Sequence, residues 1–151
     1  MTQYPLTWIL VADSARARVL EWSEPAAPLK EIADLTNPQG RLKEQALSSD
    51  RPGVASSSQG KSGHPMQASQ SGHEKSEAEF AGLIDATLVE ALDAGRYVQL
   101  MMFAPPRFLG SLRSHLTPRV AKTVVESNPL DLTREDLTKI KSRLPALKAI
   151  L

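Results

Sequence analysis

The chain has 151 residues, 41% of them hydrophobic, which is enough for one globular domain whose core needs neither disulfides nor a structural metal. It contains no cysteine, which excludes thiol catalysis, disulfide frameworks and cysteine-ligated zinc and fits a reducing compartment. The formal net charge of +1 does not by itself indicate a nucleic-acid or membrane partner.

The N-terminal segment has neither the basic region of a signal peptide nor an apolar run long enough to cross a membrane. Its apolar run covers only residues 6–12. We therefore expect a cytoplasmic protein without a membrane span.

The first part of the chain predicts a three-stranded antiparallel meander. Residues 7–12 form a nearly continuous apolar run, typical of a buried strand, and a turn follows at Asp13. We interpret Asp13 as a turn-forming residue whose carboxylate bonds to nearby backbone. Residues 17–22 are expected to pair back against the first strand. Residues 29–35 predict a weaker edge strand, because charged residues interrupt it.

A polar segment at residues 38–72 differs in composition from the rest of the chain. It holds eight serines, five glutamines and five of the eight glycines but no aromatic residue, so it cannot bury enough apolar surface to fold on its own. We predict a long flexible loop here, which is either a solvated insertion without a function of its own or a segment that approaches a ligand. The candidate contact residues within it are Gln59, Lys61, His64 and Gln70.

After this segment the pattern predicts two units in which a helix is followed by a strand. Apolar residues recur at helical spacing from His73 until Gly95 ends the helix. Residues 97–104 are an apolar run typical of a central parallel strand, which ends at two prolines. A second helix is predicted up to residue 116, and residues 120–126 predict another strand because they are rich in β-branched side chains.

A last helix is predicted over residues 134–144, because Thr133 and Asp136 resemble a capping box. The resulting element order predicts an α/β fold of ribonuclease-H-like topology, in which three antiparallel strands are followed by two parallel strands and the sheet is flanked by three helices. We expect residues 1–151 to form this single domain.

A basic stretch is the best indication of a partner. No acidic residue occurs between Asp93 and Glu126, and this stretch includes the corner between the central strand and the second helix, where open α/β sheets bind ligands. Clustered arginine and lysine side chains at such a corner would contact phosphates. The candidate RNA- or phosphate-binding residues are Arg16, Arg107, Arg113, Arg119 and Lys122.

The catalytic patterns that we considered are incomplete. Asp13 lacks the partner carboxylates of a two-metal nuclease, because the central strand ends in Ala104 and two prolines. Residues 55–62 resemble a phosphate-binding loop but lack the strand before it and the helix after it, since Gly63 and Pro65 disfavour a helix there. Three distant histidines provide neither a serine–histidine pair nor a metal site. We expect no catalytic residue, no metal and no cofactor.

Several short motifs occur in the order and spacing of a known family: WILVAD at residues 8–13, RARV at 16–19, SDRPG at 49–53, GKSGHPM at 60–66, APP at 104–106 and DLT at 131–133. On these motifs, the chain resembles the bacterial host attachment protein family, which is similar to the middle domain of archaeal and eukaryotic class I release factors. The resemblance covers nearly the whole chain. It implies a ribonuclease-H-like domain with the ribosome or tRNA as partner.

In release factors the corresponding loop carries a Gly-Gly-Gln tip that helps water to cleave peptidyl-tRNA, and this tip is absent here. The resemblance therefore implies a non-catalytic, release-factor-like domain that associates with RNA or ribosomes. One alternative is a factor required for attachment to host cells through protein or surface contacts. Another is peptidyl-tRNA hydrolysis involving Gln59, His64 or Gln70. Homo-oligomer formation is left open.

Overall fold

The computed structural model describes the backbone of residues 2–39 and 64–150, and the side chains of residues 2–39 and 72–150. The described elements are the strands of one sheet and the helices that cover it. In chain order they are β1 (Thr7–Ala12), β2 (Arg16–Trp22), β3 (Lys30–Thr36), α1 (His64–Asp93), β4 (Gln99–Phe103), α2 (Pro106–His115), α3 (Pro118–Ala121), β5 (Val124–Asn128) and α4 (Leu137–Ser142).

The five strands form one mixed sheet in the order β3-β2-β1-β4-β5. β2 runs antiparallel to β1 and to β3, whereas β4 runs parallel to β1 and to β5. Thr7 pairs with Gln99 and Val11 with Phe103, so β1 and β4 lie side by side along their whole length. The predicted fold class, an antiparallel meander extended by two parallel strands, is confirmed.

The predicted first strand has the observed bounds, whereas the starts of α1 and β5 and both ends of the last helix and of the central strand differ from the predicted ones. α1 begins at His64 rather than His73, so the last part of the predicted 38–72 loop is helical. Pro65 does not prevent this, because a proline in the first turn removes an amide that has no helical acceptor. β5 begins at Val124, since residues 118–121 form the short helix α3. The last helix is shorter than the predicted 134–144 and spans Leu137–Ser142, because Asp136 rather than Thr133 caps it by accepting a hydrogen bond from Lys139 N.

β1 is buried at all six positions because both faces of the sheet are covered. Its alternate side chains enter two separate cores. Trp8 and Leu10 pack under α1 and α2, whereas Ile9 and Val11 pack on the opposite face against α4 and the C-terminal segment. This double coverage is the reason why the sequence of β1 is continuously apolar and does not alternate.

Tyr97 connects the end of α1 to the sheet. Its ring stacks on Trp8 with centroids 4.8 Å apart, and its hydroxyl donates to the carbonyl of Leu88 at 2.9 Å. Burial raises the pKa of the Tyr97 hydroxyl to about 12, because the phenolate would lose its hydration. The side chain is therefore held in its neutral form.

Arg18 joins three parts of the chain. Its buried guanidinium donates to both carboxylate oxygens of Glu31 on β3, at 2.8 and 3.2 Å. It also donates to the carbonyl oxygens of Thr133 at 3.0 Å and Glu135 at 2.8 Å, in the segment between β5 and α4. Arg18 thereby ties that segment, and with it the second core, to the antiparallel half of the sheet.

The raised pKa of Tyr97 predicts how stability depends on alkaline pH. Below pH 10 the hydroxyl is protonated in both the folded and the unfolded chain. Between pH 10 and about 12 the unfolded chain loses this proton while the folded chain keeps it, so the free energy of unfolding falls as pH rises. In urea unfolding across this range, Tyr97→Phe should show a shallower decline than the parent protein. Parallel declines would contradict the assignment.

Replacing Arg18 by Ala should lower the free energy of unfolding by about 3 kcal/mol, because one buried carbonyl, one partly buried carbonyl and a partly buried carboxylate lose their donor. Urea denaturation measures this loss. Arg16→Ala is the matched control on the same strand, since Arg16 pairs with Asp34 in an exposed ion pair that should contribute less than about 1 kcal/mol. Equal losses in the two variants would disprove the proposed role of Arg18.

Candidate functional site

The carboxyl ends of β1 and β4 lie next to each other at one edge of the sheet, called here the carboxyl edge. From β1 the chain turns into β2, whereas from β4 it turns the other way through α2 to β5. Neighbouring parallel strands whose connections diverge leave a crevice beyond their ends, where open α/β sheets bind ligands. This edge is therefore the first place to look for a functional site.

Asp13 forms the turn that follows β1. Its Oδ1 accepts hydrogen bonds from the backbone amides of Ala15 at 2.9 Å and Arg16 at 2.8 Å. The Thr133 hydroxyl lies 3.3 Å from Asp13 Oδ2 but 2.6 Å from Asp131 Oδ1, so its single proton goes to Asp131. Within the described residues, no group of three or more His, Asp or Glu side chains is arranged to hold a metal ion.

Asn37 fixes the start of the segment that follows β3. Its backbone amide donates to Ala15 O at 2.9 Å, and its side-chain amide donates to Ser14 O at 2.8 Å and Ser76 Oγ at 3.1 Å. These bonds place Asn37 beside the turn after β1 and link it to α1. The chain therefore leaves β3 at the carboxyl edge.

Three of the predicted phosphate-binding residues lie at or near this edge. Arg107 is the second residue of α2, its side chain is 63% exposed, and it lies 3.3 Å from the carboxylate of Glu77 on α1. On the other side of α2, Arg113 donates to Ser127 Oγ near the end of β5, at 2.7 and 3.1 Å. Arg16 begins β2 and pairs with the exposed Asp34 at 2.9 Å.

The structure does not place Arg119 and Lys122 with them. Both residues belong to α3 or its end, immediately before β5, and so lie at the opposite edge, called here the amino edge. Arg119 forms an ion pair of 2.5 Å with Asp93, the last residue of α1. The continuous basic stretch of the sequence is thus divided between two edges of the sheet.

Among the predicted loop residues, Gln59 and Lys61 lie outside the residues that the structure describes. His64 and Gln70 belong to the backbone of α1, and their side chains are not described. Ligand contact by these four residues therefore stays a prediction, as does hydrolysis through Gln59, His64 or Gln70.

Sequence reasoning missed two buried acidic residues of α1. They are Glu77, which lies next to Arg107, and Asp85. The burial of Glu77 could have been predicted from the helical spacing. Glu77 lies three residues before Phe80 and seven before Ile84, so it shares their face of the helix. Asp85 accepts a hydrogen bond from the backbone amide of Thr117 at 2.9 Å and so fixes the turn after α2.

Comparison with solved structures shows similarity to an archaeal translation termination factor, with 13% sequence identity and a TM-score of 0.44 over 91% of this chain. The chain spans 34% of that protein. No curated protein sequence matches the chain. None of the helices in the described ranges is long and apolar enough to cross a membrane.

A family described as "Protein required for attachment to host cells" matches residues 8–144. The match begins in β1 and ends beyond α4, so it includes every strand of the sheet. The family resemblance predicted from the short motifs is confirmed. The chain belongs to the family of proteins required for attachment to host cells.

Proposed function

We propose that this chain is a non-catalytic, cytoplasmic RNA-associated domain, and that α2 at the carboxyl edge contacts RNA phosphates on the ribosome or on tRNA. One observation carries the proposal. The N-terminus of α2 has no side-chain cap, and the helix carries two exposed arginines, Arg107 in its first turn and Arg113 in its last turn.

The start of α2 is suited to an anion. Its N-cap residue is Pro105, which provides no side-chain hydrogen bond, and Pro106 occupies the first turn. The following backbone amides have no helical acceptor, and they carry the positive end of the helix dipole. Phosphate oxygens are common acceptors for such amides.

The two arginines are available to a phosphate for different reasons. The guanidinium of Arg107 lies 3.3 Å from the buried carboxylate of Glu77, but the arginine side chain is 63% exposed, so it keeps donors that face solvent. Arg113 contacts the neutral hydroxyl of Ser127, so this contact leaves its charge uncompensated. Both guanidinium groups can therefore offer donors to a phosphate.

We assign no catalytic role to Asp13, because its Oδ1 accepts hydrogen bonds from the two backbone amides that shape the turn after β1. The carboxyl edge then acts by binding alone. Binding through phosphates is independent of base sequence and falls steeply as salt increases.

Replacing both Arg107 and Arg113 by Ala should weaken co-sedimentation with ribosomes and binding to a labelled single-stranded RNA. Because each phosphate contact contributes about 0.7 to the slope of log affinity against log salt, the slope should fall by about 1.4. Measurement of RNA binding over a series of salt concentrations gives this slope.

The matched control replaces Arg119 and Lys122 by Ala, which removes the same charge at the amino edge. This variant should keep the salt slope of the parent. Equal losses in both double variants would show that only net charge matters, and a parent protein that binds neither ribosomes nor RNA would refute the proposal outright.

The family description supports a second candidate, a role in attachment to host cells through protein or surface contacts. This candidate requires the protein at the cell surface. Labelling intact cells with a membrane-impermeant amine reagent should then modify exposed lysines such as Lys75, Lys122 and Lys148. Labelling that appears only after lysis would contradict the candidate.

A further inference from the structure

We propose that a cleft at the amino edge of the sheet binds a small zwitterionic ligand of the class of free amino acids and short peptides. The cleft has a volume of about 440 Å³ and lies between the last turns of α1 and the amino-edge ends of β1, β2 and β3. Such a volume falls within the range of small-molecule sites. The arginines proposed to bind RNA do not line it.

Small side chains keep the cleft open. Ala33 on β3 and Ala91 on α1 both line it, as does Thr87 one turn earlier on the helix. The indole of Trp8 forms the inner wall, and its Nε1 is buried without a hydrogen-bond acceptor among the described residues. An apolar group of a ligand can pack against these side chains.

A β-bulge in β3 brings a lysine to the cleft. Ala33 pairs with Val19 and Glu31 pairs with the next residue of β2, Leu20, so Ile32 has no partner on β2. Because side chains alternate along a strand, this extra residue moves Lys30 to the face that carries Ala33. Lys30 then lies opposite Glu21, and both line the cleft.

The end of α1 supplies the second pair of charges. Gly95 adopts a φ of 71°, and the amide of Arg96 donates to Ala91 O at 2.9 Å, which forms a Schellman turn. This turn places Arg96 at the cleft, where Glu90 from the last turn of the helix also lies. A glycine is needed at this position because other residues rarely adopt that φ.

The charges around the cleft are balanced but not neutralised by ion pairs. Lys30 and Arg96 are cations and Glu21 and Glu90 are anions, and none of the four is in any ion pair of the described residues. A ligand with only one charge would meet an unmatched group of the same sign. A ligand with a carboxylate, an ammonium group and an apolar side chain satisfies both signs and packs on Trp8, whereas the two glutamates disfavour RNA phosphates.

Three matched dipeptides test this site. The first, glycyl-leucine, carries both charges. The second, glycyl-leucine amide, lacks the carboxylate, and the third, N-acetyl-glycyl-leucine, lacks the ammonium group. The chain has two tryptophans, so in a Trp22→Phe background the fluorescence of Trp8 reports binding directly. Glycyl-leucine should change this fluorescence saturably, and each blocked peptide should bind at least about fivefold more weakly.

Two double variants then show which side chains bind the carboxylate and which bind the ammonium group of the ligand. Lys30→Ala with Arg96→Ala should remove the preference for glycyl-leucine over its amide, whereas Glu21→Gln with Glu90→Gln should remove the preference over the N-acetyl form. Arg107→Ala should leave all three affinities unchanged. No saturable signal with glycyl-leucine, or equal affinity of the parent for all three peptides, would overturn the proposal, and both results come from the Trp22→Phe protein without further substitutions.

Discussion

The pairing of β1 with β4 is the constraint on which the rest of the structure depends. The two strands run in the same direction and in register from Thr7 with Gln99 to Val11 with Phe103. A parallel pair requires a long connection that passes over one face of the sheet, and α1 provides it. The pair therefore determines that α1 covers one face of the sheet and that the carboxyl ends of the two strands share one edge.

This arrangement gives the molecule two chemically different edges. At the carboxyl edge the uncapped start of α2 and its arginines present positive charge, whereas the cleft at the amino edge presents cations and anions together. The two edges are separated by the length of the strands, and none of the described residues named at one edge lies at the other. The effects of substitutions at the two edges on stability should therefore be additive.

The sequence predicted correctly those elements whose hydrophobic pattern matches their burial in the folded chain. The run at residues 7–12 is apolar throughout because the strand is buried on both faces, so its bounds were predicted correctly. The start of β5 was predicted wrongly at residue 120, because Val120 is β-branched and β-branched residues are typical of strands. Pro118 instead starts the short helix α3, from which Val120 packs into the core. The start of α1 was missed because Gly63 and Pro65 are usually read as helix breakers, although the first turn tolerates proline.

The candidate sites were less predictable, because a stretch of sequence does not show at which edge of the sheet its residues lie. Between Arg107 and Arg119 the chain crosses from the carboxyl edge to the amino edge along α2, so one basic stretch becomes two surfaces. The cleft depends on residues from β1, β2, β3 and α1, whose proximity only the register of the sheet reveals.

The bulge at Ile32 has a consequence for how this chain can change in length. Deletion of that single residue would restore regular alternation in β3 and keep every backbone partner available. Lys30 would remain opposite Glu21 on the cleft face, and Glu31 would remain opposite Leu20 on the face where it pairs with Arg18. The strand can therefore lose this residue without changing which side chains face the cleft and which face the second core.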